Sequence, residues 1–140
     1  MSTQVNPELL KRLTDDVLTG HDLAALDDIF HADYVEDDPP PGMGPGREGL
    51  RQWLATWIGA FPDVQWTVEE QSVAEDKVWT RSTWRGTHQG PFLGIPATGK
   101  TITVAAWTID RFEDGKIAES RIIMDTLGMM QQLGAIPAPT

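Results

Sequence analysis

The hydrophobic periodicity of the chain changes once, at Phe61-Pro62-Asp63, and nothing else in the sequence constrains the fold as strongly. Before that point apolar residues recur at steps of three and four, which is the helical spacing. After it they recur at steps of two, the spacing of half-buried strands. In the first half, Asn6-Pro7-Glu8 reads as an N-cap, a proline at the first helical position and an early carboxylate. Leu9, Leu10, Leu13 and Val17 follow on one face, and Gly20 ends the helix. Asp22 caps a second short helix carrying Leu23, Leu26, Ile29 and Phe30, and Asp33 to Glu36 reads as a short strand. The run from Asp37 to Gly46 holds four prolines and three glycines, so it is a loop of preset shape. A third helix is predicted over Arg47 to Ala60, with Leu50, Trp53, Leu54, Trp57 and Ile58 on its apolar side.

The second half is a meander. Val64, Trp66 and Val68 alternate with polar residues, Glu75-Asp76-Lys77 is a turn, and Val78 to Thr87 is the next strand. A long loop, His88 to Gly99, leads to a strand over Lys100 to Phe112. Glu113-Asp114-Gly115-Lys116 is a hairpin turn and Ile117 to Asp125 the last strand, before a helical tail over Leu127 to Leu133. Helices segregated from strands mean an α+β fold, in which about three helices pack on one face of a curved antiparallel sheet. Three helices cannot cover such a sheet, so the remainder is a pocket or a face for a second subunit.

A chain of 140 residues makes one domain, spanning 1–140, large enough to bury a core without a metal or disulfide. It has no cysteine, which removes thiol chemistry and fits a cytoplasmic location. The net charge of −10 repels phosphate backbones and acidic membrane surfaces, so neither nucleic acid nor membrane is expected as a partner. No secretory signal and no membrane-spanning apolar run is visible. Histidines at 21, 31 and 88 lack metal-ligand spacing, so no metal is expected. Six tryptophans in a chain this small either pack a core or line an apolar cavity.

Several segments in order resemble one family. They are Phe30 to Pro39 (FHADYVEDDP), Gly46-Arg47-Glu48-Gly49-Leu50, Ala60-Phe61-Pro62-Asp63, Gly86 to Gly99 (GTHQGPFLGIPATG), Asp114 to Glu119, and Asp125 to Gly134. Together these make the chain similar to the SnoaL-like polyketide cyclases, or ester cyclases, of the NTF2-like superfamily, over roughly residues 8 to 137. The resemblance implies a cone-shaped sheet enclosing a pocket, no cofactor and a homodimer. It also implies an acid and base role for the aspartate ending the last strand, Asp125, in an intramolecular aldol closure. The superfamily hosts cyclases, isomerases, hydroxylases and binders, so the fold alone does not choose among them.

Physical arguments attach to the same residues. A carboxylate ending a strand of Ile117, Ile122, Ile123 and Met124 is expected to meet low dielectric and rise toward a useful pKa; the plainer reading is that Asp125 caps the tail helix. Asp38, before Pro39, is a second candidate acid or base, in a context similar to the general base of the ketosteroid isomerase branch; otherwise it is a turn former. Where many relatives carry His, this chain has Asp37, and alternation favours Asp38 as the inward member. His88 suits general acid work or a carbonyl contact, against a loop-bracing role. Arg121 stands where relatives commonly carry an aromatic residue. If no bulge intervenes, it shares the Glu119–Ile123–Asp125 face and could bind a substrate oxyanion or make an internal ion pair. Trp53, Trp57, Trp84 and Trp107 are the candidate pocket aromatics for a flat, apolar ligand. The expectation is therefore a cofactor-independent enzyme moving a proton beside a carbonyl, in a ring closure or an isomerisation. The alternatives are a non-catalytic binder and a cofactor-free hydroxylase.

Overall fold

The computed structural model of the chain describes residues 5–40 and 42–137. Asn6 Oδ1 accepts the Glu8 backbone N–H at 3.1 Å and opens α1, Glu8–Arg12. The helix then widens to a π-helical turn over Leu13–Thr19 and ends at Gly20, whose N–H reaches back to Asp15 O. A 3₁₀ turn at Leu23–Ala25 runs into α2, Leu26–Ile29. The long helix α3 spans Gly46–Ala60 and buries Leu50, Leu54 and Trp57, with Trp53 and Ile58 half-buried beside them. A last helix, α4, spans Thr126–Leu133.

Five strands form one sheet: β1 Phe30–Glu36, β2 Gln65–Ala74, β3 Lys77–Thr87, β4 Thr101–Glu113 and β5 Lys116–Met124, in the order β1-β5-β4-β3-β2. The meander β2 to β5 is antiparallel, as its alternation requires. Asp114 and Gly115, both at positive φ, close the β4–β5 hairpin with the backbone twist that two-residue loops favour. One pairing departs from the expected all-antiparallel sheet. Strand β1 begins at Phe30, directly after α2, and joins the far edge parallel to β5. A parallel neighbour needs a long crossover, and here α3 and the rest of the meander supply it.

The register of β4 and β5 contains an irregularity that decides what the site can be. Phe112 faces Ile117, but Arg111 faces Glu119, which leaves Ala118 as an extra residue. A one-residue bulge inverts the face of everything beyond it. Ile117 is buried, yet after the bulge it is Ser120, Ile122 and Met124 that turn inward, while Arg121 lies outward. The helices cover only part of the inner face. Among the described residues no helix is long and apolar enough to cross a membrane.

Candidate functional site

Between the π-helical turn Leu13–Thr19, α3, α4 and the inner face of the sheet lies a cavity of about 370 Å³. That is the scale of a small-molecule site. One side is aromatic. Trp57, fully buried on α3, has its ring 4.8 Å from Trp84, 4.9 Å from Phe92 and 5.1 Å from Phe61. Trp53 and Trp66 extend the same wall. Trp53 and Trp57 meet there because residues four apart on a helix share a face. Trp66 and Trp84 meet because they are directly opposed across β2 and β3.

The other side is polar. Glu36 on β1 is opposite Ser120 on β5, and Ser120 is opposite Asp110 on β4, so three adjacent strands place these side chains in one row. Asp110 is 3% exposed. Its Oδ1 accepts the Ser120 hydroxyl at 2.5 Å, and its Oδ2, also buried, has no hydrogen-bond partner among the described residues. Burial pushes the Asp110 carboxyl up to about 7, helped by the negative charge of Glu36 and opposed by the Ser120 hydrogen bond. Glu36 is raised too, chiefly by burial, although the Asp38 backbone N–H donates to its Oε2 at 3.0 Å. Tyr34, beneath the row, is held well above the usual phenol range by burial and by Glu36. It therefore stays a neutral donor, with its hydroxyl 3.4 Å from Glu36 Oε1.

The residues singled out from sequence distribute unevenly around this cavity. Trp53, Trp57 and Trp84 line it, and so does Asp38, whose side chain is exposed at the rim. Asp125 does not line it. Its Oδ1 accepts the Gly128 backbone N–H at 2.9 Å as the N-cap of α4, and the residue is exposed. The low-dielectric surroundings expected for it are absent, because the strand ends before Asp125 and the chain turns into the helix. Arg121, expected beside Asp125 on a pocket face, is carried outward by the Ala118 bulge; its side chain is 61% exposed and its Nε lies 3.2 Å from Asp37 Oδ2. Trp107 is likewise outside the cavity: β4 alternation puts it on the sheet's outer face, 53% exposed.

His88 is fully buried but behind the wall rather than in it. Its ring stacks on Phe61 at 5.3 Å, and Nδ1 takes the Thr98 backbone N–H at 3.2 Å, so the imidazole braces the loop it begins. Among the described residues no three His, Asp or Glu side chains gather as a metal site would need.

Asp110 and Ser120 are what sequence reasoning missed. The step of two from Ile102 through Val104, Ala106 and Thr108 to Phe112 passes through Asp110, so strand parity alone placed a carboxylate on the buried face. Ser120 carried no comparable signal, because the bulge that turns it inward is not written in the alternation.

Comparison with known proteins agrees with this architecture. Residues 8–133 match the family model described as SnoaL-like polyketide cyclase. The chain is 32% identical over 146 residues to the aklanonic acid methyl ester cyclase DnrD of Streptomyces peucetius, covering 100% of this chain and 96% of that protein. It is 31% identical over 147 residues to the corresponding cyclase DauD of Streptomyces sp. (strain C5), covering 100% and 86%. The solved structure of TsrD from Streptomyces laurentii is similar with a TM-score of 0.82 at 31% identity, over 95% of this chain and 100% of that one. On these matches the chain belongs to the SnoaL-like polyketide cyclase family.

Proposed function

We propose that this protein is a cofactor-independent enzyme in which Asp110 moves a proton next to the carbonyl of an apolar, polycyclic substrate, leading to aldol ring closure. The observation that carries this reading is the unpartnered Oδ2 of a buried carboxyl in the cavity wall, a carboxyl that burial pushes up to about 7. Such a group is a base and an acid in comparable amounts at neutral pH. As carboxylate, Asp110 takes a proton from carbon: the C–H bond breaks, an O–H bond forms, and the electron pair becomes the enolate. The enolate carbon then bonds to a second carbonyl carbon, and the resulting alkoxide recovers the proton from Asp110, which returns to carboxylate. Ser120 fixes the carboxyl through Oδ1, and the aromatic wall orients a flat ligand. The relatives named as aklanonic acid methyl ester cyclases favour ring closure over isomerisation.

The test uses exchange of the C2 protons of 1-tetralone in D2O, followed by NMR. Wild-type protein is expected to accelerate exchange, with an acid limb near pH 7. Asp125→Asn keeps the helix cap, since Asn caps as well as Asp, and is expected to match wild type within about two-fold. Loss of exchange in that variant would move the role to Asp125. Glu36→Gln removes a charge that raises Asp110, so its acid limb is expected at lower pH than wild type; an unmoved limb would separate the two groups.

The outer face of the sheet supports a homodimer. Trp107 is directly opposite Ile123, and Trp79 lies two residues along on the neighbouring strand, all three exposed. Self-association through this patch would cover them.

A further inference from the structure

The cavity has hydrogen-bonding groups at two separate ends, and only one is used by the chemistry above. The indole N–H groups of Trp66 and Trp84 are buried and have no hydrogen-bond partner among the described residues, although both residues line the cavity. They are a directly opposed pair on β2 and β3, with ring centroids 6.0 Å apart. Their neighbours are rings, including Trp57 at 4.8 Å from Trp84, and a π face is only a weak acceptor. Two adjacent buried donors without acceptors are costly to keep empty-handed, and a bound acceptor would remove that cost.

Their position along the sheet says which part of a ligand they meet. Trp84 is opposite Val104 on β4, whereas Asp110 is six residues further along the same strand, a path of about 20 Å in extended chain. The acids and hydroxyls of the cavity come from β1, β4, β5 and the segments after them; the two indoles without an acceptor come from β2 and β3. An indole nitrogen donates and never accepts.

We propose that Trp66 and Trp84 form a carbonyl-binding subsite at the end of the cavity away from Asp110, so that the ligand is an elongated, flat compound with a second, unreactive carbonyl remote from the reacting one. This rests on the proposed function only in taking the cavity as the ligand site. The subsite holds and orients; it touches no reacting atom.

The experiment measures binding of a matched pair, 9-fluorenone and fluorene, which differ by one carbonyl oxygen, using protein labelled with ¹⁵N in its indoles. Fluorenone is expected to bind roughly five- to ten-fold more tightly than fluorene, the worth of about one net hydrogen bond. It should also move the Trp66 and Trp84 indole proton resonances downfield, which fluorene should not. Trp84→Phe and Trp66→Phe, which keep a ring and lose the donor, are expected to bring the ratio of fluorenone to fluorene affinity toward one. Trp107→Phe, on the outer face, serves as assignment control. Equal affinity of the two ligands in wild type, or fluorenone preference with both indole resonances unmoved, would overturn the subsite while leaving the tetralone exchange by Asp110 intact. Absence of binding by either ligand would overturn the subsite and remove the cavity as a site for flat ligands, a failure that exchange activity would register separately.

Discussion

Asp110→Asn is expected to reduce the exchange of 1-tetralone by on the order of 100-fold or more, the usual loss when a positioned general base is removed. The same substitution should make the protein more stable at alkaline pH, an outcome that distinguishes a functional acid from a structural one. Burial holds a proton on folded Asp110 up to a pH of about 7, whereas the unfolded chain releases it near the usual carboxylate value of about 3.9. Between those values the folded state carries more protons than the unfolded state. Stability therefore falls as pH rises through that window, by on the order of 4 kcal/mol once both values are passed. Asn carries no such term, and its amide keeps an acceptor for the Ser120 hydroxyl. The amide N–H₂ in place of Oδ2 lacks a partner and offsets part of the gain. A net stabilisation on the order of 2 kcal/mol above pH 8, turning into a net destabilisation of about the same size toward pH 4, is the expected balance. Thermal melts of both proteins at pH 5 and pH 8.5 read it: wild type should lose more than the variant between the two. Parallel slopes would mean that Asp110 is not a buried, raised carboxyl.

Trp57→Ala carries the second large effect. The indole is 2% exposed and packs on Phe61, Phe92 and Trp84 at once, so it belongs to the core and to the cavity wall together. Truncating a buried aromatic to Ala costs about 3–5 kcal/mol through lost burial and the space left behind. For a domain of this size that is a fall in Tm of about 10–15 °C. Trp53→Ala, from the half-buried neighbour one turn earlier on α3, should cost less than half as much. A Tm for Trp57→Ala within about 3 °C of wild type would mean the aromatic side collapses freely into the cavity, and the wall would then be too soft to orient a ligand.

The helical half and the meander were legible because each is set by local spacing. The period change at Val64 and the Asp114-Gly115 turn are properties of short windows, and the structure places them within a residue or two of the pattern. The parallel pairing of β1 with β5 was not legible, since it joins residues separated by most of the chain and no window contains both. At the candidate site the same division holds. Trp53, Trp57 and Trp84 follow from helix and strand faces. Arg121 went to the wrong side because a single unpaired residue, Ala118, inverts the face of the strand beyond it. Asp125 had two readings in the sequence, a desolvated acid or a helix cap, and only the path of the chain after Met124 separates them. Asp110 was open to inference from the parity of β4, which places it on the same face as Ile102, Val104 and Ala106.

The central claim is a buried carboxyl poised at neutral pH, and carbon-detected NMR titration of the Asp110 carboxyl tests it without any substrate. The account predicts an inflection near pH 7 in wild type, moving down in Glu36→Gln. An inflection near the usual carboxylate value of about 3.9 would contradict it.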